Sequence, residues 1–208
     1  MSIAELPSAD LLPNDLLRQY ANVPTSIISD NMDRVPGAVG LLPMREGLHL
    51  VGTALTVRTR PGDNLAIHAA LKMARPGEVL VIDGDGDLTR ALIGEVILAH
   101  AESRGVAGFV VDGVIRDVAA FRVAATPCYA RGVIHRGPYK NGPGEINATV
   151  SIGGLVVNPG DLIVGDDDGV VAVPAALAAG LLPGIRAQQE NERQKLDAYR
   201  SRERLHAI

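Results

Sequence analysis

The chain reads as an α/β protein in which a parallel βαβ unit carries an added layer of short strands. Two continuous apolar runs, E-V-L-V-I-D over residues 78–83 and V-A-G-F-V-V-D-G over 106–113, bracket A-L-I-G-E-V-I-L-A-H-A-E-S-R-G, which has helical periodicity. Runs of that kind suit strands buried on both faces, and strand, helix and strand in about thirty residues form a right-handed crossover between parallel strands. Beyond residue 122 the pattern changes to T-P-C-Y-A-R-G-V, T-V-S-I-G-G-L-V-V, D-L-I-V-G-D and G-V-V-A-V-P, separated by Gly-rich turns. Short strands so spaced argue for a second β layer and against a long doubly wound sheet. With 208 residues, one domain spanning 1–208 is expected.

The individual elements follow in chain order. Residues 1–24 are expected to be a helical segment, and residues 8–36 hold two short helices, S-A-D-L-L-P-N-D-L-L-R-Q-Y and T-S-I-I-S-D-N-M-D-R, each with a capping residue ahead of apolar positions at helical spacing. Val, Leu and Thr alternate over 48–59 as in a strand. Pro61-Gly62-Asp63, Pro76-Gly77-Glu78 and Pro159-Gly160-Asp161 are turns, since Pro presets the first turn position and Gly supplies positive φ at the second. A short helix carrying Leu65, Ala69, Lys72 and Met73 follows the first turn, capped by Asp63 or Asn64. G-D-G-D-L-T-R over 84–90 is a loop leading to the βαβ helix, whose stripe is Ile93, Val96, Ile97 and Ala101 and whose stop is Gly105. Asp166-Asp167-Asp168-Gly169 lacks the alternating ligands of a calcium loop and is a polar hairpin turn. The tail, residues 181–208, alternates charge at helical spacing and forms a solvated helix that can lie against a neighbouring subunit.

Composition removes several function classes. No Trp, 4 Tyr, 2 Phe and a net charge of -4 give neither stacking platforms nor a basic field, so no nucleic-acid partner is expected. No stretch approaches the ~20 apolar residues of a membrane span, M-S-I-A-E-L-P-S-A-D lacks a basic region followed by a long apolar stretch, and the lone Cys128 cannot form an internal disulfide; a cytoplasmic protein is expected.

In parallel α/β units ligands bind beyond the carboxyl ends of strands, where helix N-termini point free amides. Two such ends occur, Gly84-Asp85-Gly86-Asp87 leading to Gly94-Glu95-Val96-Ile97, and Asp112-Gly113 leading to Arg116-Asp117. If the two strands are neighbours, a guanidinium, a carboxylate and a set of peptide N–H groups converge there. Arg116 forks its donors to match a carboxylate or enolate, and Asp117 offers hard oxygen to a divalent cation. A single protein carboxylate suits a metal that keeps several waters, Mg2+ or Mn2+ or a similar ion; the histidines show no zinc spacing. Arg131, His135, Arg136 and Lys140 form a basic loop that either attracts an anion or lines an interface, His68 packs within its helix, and Asp30 either caps a helix or touches a site across a boundary.

The ordered series P-G-D-N-L-A-I-H-A-A-L, P-G-E-V-L-V-I-D-G-D-G-D, A-L-I-G-E, G-V-A-G-F-V-V-D-G-V-I-R-D, Y-A-R-G-V and N-P-G-D-L-I-V-G-D-D-D-G-V-V-A-V-P resembles the RraA-like family over roughly residues 25–175. That family contains class II 4-hydroxy-4-methyl-2-oxoglutarate aldolases with oxaloacetate decarboxylase activity, together with the regulator of ribonuclease E activity. The resemblance implies a compact α/β/β fold of the swivelling-domain type, a homotrimer or homohexamer, and sites at subunit boundaries. It implies that Arg116 binds substrate, that Asp117 ligates Mg2+, that the amides of Gly94, Glu95, Val96 and Ile97 hold a pyruvyl carboxylate, and that Glu95 orients water beside the metal. It further implies a tail glutamate reaching a neighbour's site, for which Glu192 is the candidate.

The implied reaction is cleavage of the C3–C4 bond of a 2-oxo acid to give a pyruvate enolate, by retro-aldol cleavage of 4-hydroxy-4-methyl-2-oxoglutarate or 4-carboxy-4-hydroxy-2-oxoadipate, or by decarboxylation of oxaloacetate. The alternatives are a non-catalytic ring that binds a ribonuclease, and a lyase for another 2-oxo sugar acid. One position departs from the family pattern: aldolase members carry an acid three residues after the metal-binding aspartate, where this chain has Ala120, next to Ala119.

Overall fold

The computed structural model describes residues 2–34 and 37–206. The first half runs β1 (Ile3–Glu5), α1 (Asn14–Tyr20), α2 (Thr25–Asp30), β2 (Leu42–Pro43), β3 (Leu50–Thr59), α3 (Leu65–Met73) and β4 (Glu78–Ile93). The second runs α4 (Glu95–Ser103), β5 (Gly108–Ile115), α5 (Val118–Val123), β6 (Cys128–Val133), β7 (Gly144–Ile146), β8 (Val150–Ile152), β9 (Leu155–Val157), β10 (Leu162–Asp166), β11 (Gly169–Val173) and α6 (Ala175–His206).

β3, β4, β5 and β6 are neighbours and parallel, each joined to the next by a helix, so the expected βαβ unit is one of three in succession. Leu80, Ile82, Phe109 and Val111 point from one sheet face into a core shared with α3, α4 and α5. Val79, Val81 and Val110 point to the other face, where the β8–β9 hairpin and β10–β11 cover them. That second covering is the β layer expected from the sequence. A third apolar cluster joins α1, α2 and the start of α6 to the outer side of β10 and β11. Each fully buried Leu, Ile or Val contributes roughly 1.5–3 kcal/mol relative to exposure.

Several expectations are corrected. The first 24 residues are not one helical segment: β1 pairs with β7, and helix is confined to Asn14–Tyr20 and to α2. Proline at 13 disfavours helical backbone at the residue before it, which keeps residues 8–12 out of α1. Pro13 and Pro24 hold the N-cap positions, and no side chain caps either helix. Thr25 instead gives its N–H and hydroxyl to Asp166 at 2.8 and 2.7 Å. Residues 84–93 are a continuation of β4, not a loop and the first turn of a helix, so Ile93 belongs to the strand, while Val96 stands 75% exposed, outside the core stripe. α6 begins at Ala175, ahead of the expected Leu181, and Pro183 lies within it. Asp166 and Gly169 pair across a two-residue hairpin loop, as expected. Residues 35, 36, 207 and 208, which fall in the expected second helix and tail, lie outside the described residues. No helix among the described residues is long and apolar enough to cross a membrane.

Candidate active site

β4 positions the site by an irregular excursion. Its partner register on β5 runs Asp83 to Asp112, then Asp87 to Gly113, Ala91 to Val114 and Ile93 to Ile115, so eleven residues of β4 are spent on four of β5. Asp85 and Gly86 take positive φ, 57° and 65°, where the chain turns out. Ala91, Leu92 and Ile93, all at most 2% exposed, bring it back against the end of β5. α4 therefore starts at Glu95 directly beside the residues that follow β5, and the Arg116 N–H donates to the Ile93 carbonyl at 3.0 Å.

Arg116 and Asp117 thus meet Gly94 as the strand ends suggested. Asp117 Oδ2 accepts the Glu95 N–H at 3.1 Å and lies 3.5 Å from Arg116 Nε. A Cβ at Gly94 would overlap Asp117 Oδ2 and come within 2.9 Å of Arg116 Cγ, so only glycine leaves room for the carboxylate. Asp117 itself sits at φ 56°, ψ 38° at the start of α5, left-handed backbone that a non-glycine residue adopts at a cost of order 1 kcal/mol or more. Both side chains keep about two-fifths of their surface in water, 43% and 42%. Of the four amides expected to form a cradle, that of Glu95 is taken by Asp117 and that of Ile97 by the Gly94 carbonyl, at 3.0 Å. Those of Gly94 and Val96 carry no acceptor among the described residues, as the first turn of a helix leaves them. The Glu95 side chain is exposed.

A cavity of about 130 Å³ opens on this corner, lined by Gly94, Val96, Ile97 and Arg116 on one side and by Asn64, His68, Pro138 and Lys140 on the other. His68 and Lys140 were not legible as site residues: His68 was expected to pack within its helix, and Lys140 to favour an interface. α3 presents Asn64 and His68, and a strap of residues 134–142 presents Pro138 and Lys140. Burial holds the His68 imidazole below its ordinary value, and the charges of Lys140, His100 and Lys72 add to that. A broader groove outside it is lined by Arg116, Asp117, Val118, Val133 and His135.

Other candidates fall elsewhere. Arg131 pairs with Asp112, whose second oxygen accepts the Gly153 N–H at 2.8 Å. Glu192 lies on α6, where it and Asp30 both accept the Gln188 side-chain amide, at 2.9 and 3.0 Å, and neither lines the cavity of its own chain. For a metal, no group of three or more His, Cys, Asp or Glu able to hold an ion occurs among the described residues. A dedicated protein cage is thereby unsupported, whereas a water-rich ion needs only one carboxylate such as Asp117, whose Oδ1 has no hydrogen-bond partner among the described residues.

Two open amides at a helix start, the half-exposed Arg116–Asp117 pair and a cavity rimmed by His68 and Lys140 thus meet at one corner of the fold. Sequence comparison supplies the family. The RraA-like description (Aldolase/RraA) matches residues 25–172. A Halalkalibacterium halodurans protein named "Putative 4-hydroxy-4-methyl-2-oxoglutarate aldolase" is 41% identical over 179 residues, 86% of this chain and 85% of its own length. Among solved structures, an uncharacterized protein from Pseudomonas syringae pv. tomato superposes with a TM-score of 0.83 at 26% identity, over 93% of this chain and 96% of that one. Streptomyces coelicolor RraAS2, described as an unusual member of the RNase ES inhibitor RraA protein family, superposes with a TM-score of 0.84 at 26% identity, over 90% and 98%. The chain belongs to the RraA-like family.

Proposed function

We propose that the protein is a class II, divalent-metal-dependent lyase that cleaves the C3–C4 bond of 2-oxo acids through a pyruvate enolate. The observation that carries this reading is that Arg116 lines both the cavity holding Gly94 and Val96, whose amides are open, and the adjoining groove holding Asp117, which lies 3.5 Å from Arg116 and accepts the Glu95 N–H. The aldolase name of the Halalkalibacterium relative supports lyase chemistry. Its substrates on this reading are 4-hydroxy-4-methyl-2-oxoglutarate or 4-carboxy-4-hydroxy-2-oxoadipate for retro-aldol cleavage, and oxaloacetate for decarboxylation.

Asp117 would hold Mg2+, Mn2+ or another divalent ion, which would supply Lewis acidity at the 2-keto group. The Gly94 and Val96 N–H groups donate to the 1-carboxylate. Arg116 donates to the 2-oxygen, where negative charge develops as the C3–C4 electron pair moves into the enolate; such a fixed donor contributes about 3–4 kcal/mol. In retro-aldol cleavage the 4-hydroxyl proton leaves through water towards Glu95, C4 becomes a carbonyl, and protonation at C3 then yields pyruvate. In decarboxylation CO2 leaves and no base is needed. The exposed carboxylates of Asp30 and Glu192, gathered by Gln188, are the groups a neighbouring copy would present to the site in a homotrimer or homohexamer, and a cytoplasmic setting goes with this reading.

A second reading, a ring that binds a ribonuclease, is favoured by the likeness to RraAS2. It makes no use of Arg116 or Asp117. Pyruvate release from oxaloacetate, assayed with and without Mg2+ on the natural chain and on Asp117→Ala, separates the two. Stimulation by Mg2+ that Asp117→Ala loses is expected; equal background rates in both proteins would sink the lyase.

A further inference from the structure

The strap that helps to form one wall of the cavity is tied at its Asn141–Gly142 end to the start of α3 by a buried carboxylate. We infer that Asp63 is a positioning residue for the cationic half of the site, fixing Lys140 through the backbone of its neighbour Asn141 and the Arg116 guanidinium through Gly137. The inference rests on the proposed role of Arg116.

Asp63 is fully buried, and both of its oxygens are engaged. Oδ1 accepts the Leu65 N–H at 2.9 Å, in the first turn of the helix that carries Asn64 and His68. Oδ2 accepts the N–H groups of Asn141 and Gly142 at 2.7 and 3.0 Å, immediately after Lys140, and lies 3.5 Å from Arg60 Nη2. One side chain therefore ties the start of α3 to the end of the strap, the two elements that together form this side of the cavity. The strap in turn backs Arg116: a Cβ at Gly137 would lie 3.0 Å from Arg116 Nη1, so the guanidinium rests against glycine backbone there. Burial acts to raise the Asp63 carboxyl, but the Leu65, Asn141 and Gly142 amides and the Arg60 charge outweigh it and hold it below the ordinary carboxylate value. It is ionised at neutral pH, and an acceptor only.

Other bonds keep the strap's course without Asp63. The Tyr139 N–H donates to the Gly62 carbonyl at 2.8 Å, the Asn64 N–H to the Tyr139 carbonyl at 3.0 Å, and the Ala91 N–H to the Arg136 carbonyl at 2.9 Å. Arg90 adds bonds to the Gly137 carbonyl and the Tyr139 hydroxyl and stacks on the Tyr139 ring at 3.9 Å. Asp63→Asn preserves shape but sets an NH2 group against one or two N–H donors in a site without water access, so the strap loosens near Lys140 while the fold is retained.

The test is a double-mutant cycle of oxaloacetate decarboxylation with Mg2+ on the natural chain, Asp63→Asn, Lys140→Ala and the double variant, with trypsin cleavage after Arg136 and Lys140 followed in parallel on natural chain and Asp63→Asn. Asp63→Asn is expected to lower kcat/KM about tenfold alone but less than threefold in the Lys140→Ala background, since coupled residues are not additive. Trypsin is expected to cut after Arg136 and Lys140 at least fivefold faster in Asp63→Asn, with other cuts unchanged. Equal losses of kcat/KM in both backgrounds, or unchanged cleavage at the strap, would overturn the inference. If the natural chain releases no pyruvate above background, the lyase reading fails and the cleavage arm alone decides whether Asp63 holds the strap. If Asp63→Asn does not fold, Asn141→Pro, which removes one donor and leaves the carboxylate, takes its place in both arms, with cleavage read after Arg136 alone because trypsin does not cut a Lys–Pro bond.

Discussion

Asp112 and Asp117 stand five residues apart at the end of β5, each paired with an arginine, and their surroundings are opposite. Asp112 is 7% exposed in its side chain, one oxygen on Arg131 and the other on the Gly153 N–H, so its capacity to accept is spent within the protein. Asp117 is 42% exposed, 3.5 Å from its arginine, and held in left-handed backbone. A buried and saturated pair is a structural joint, costly to break and of little use to a ligand. A half-exposed pair on strained backbone contributes little stability and keeps donors and acceptors for something else. The same two residue types on one strand thus acquire different work from burial alone.

The contrast can be broken by substitution. Asp112→Ala is expected to cost about 3 kcal/mol in urea unfolding, the low end for a broken buried pair because Arg131 keeps 27% of its side chain in water. Arg116→Ala is expected to lower kcat for oxaloacetate by about 10² while moving unfolding stability by no more than about 0.5 kcal/mol. A large stability loss at Arg116, or a small one at Asp112, would reverse the assignment. Ala120→Glu restores the acid found in aldolase members and is expected to raise the ratio of retro-aldol to decarboxylation rates severalfold by assisting the base; an unchanged ratio would show that Ala120 has no part in substrate choice. The smallest effect concerns pH. Because burial and nearby cations lower the folded-state value of His68, the unfolded chain takes its proton first as pH falls. Its contribution is complete above the ordinary histidine value of about 6.5 and declines as pH drops below it. His68→Gln should flatten the acid limb of a stability–pH curve; an unaltered slope would place the sensitivity elsewhere.

The apolar runs at 78–83 and 106–113 were legible because strands buried on both faces leave no polar alternation, and Arg116-Asp117 was legible because it ends one of them. β4's continuation was not: Gly84 to Arg90 has loop composition, and only pairing with β5 makes 91–93 a strand. His68 and Lys140 are 72 residues apart, and they meet because Asp63 and the Asn64–Tyr139 and Tyr139–Gly62 backbone bonds join the strap to the start of α3. No local pattern encodes that. β1 and β7, three residues each, pair only with distant segments.

The last described turns of α6 carry a consequence for how order is acquired. From Glu190 to Ser201 every residue is exposed, including Leu196 and Tyr199, and the ion pairs of Arg193 with Glu190 and Asp197 run only along the helix itself. Such pairs add about 0.2–0.5 kcal/mol each, and an isolated helix of this length is marginal in water. Little of its helicity is therefore supplied by its own contacts, and a surface that covered Leu196 and Tyr199 would stabilise the arm independently of the three cores that hold the rest of the chain.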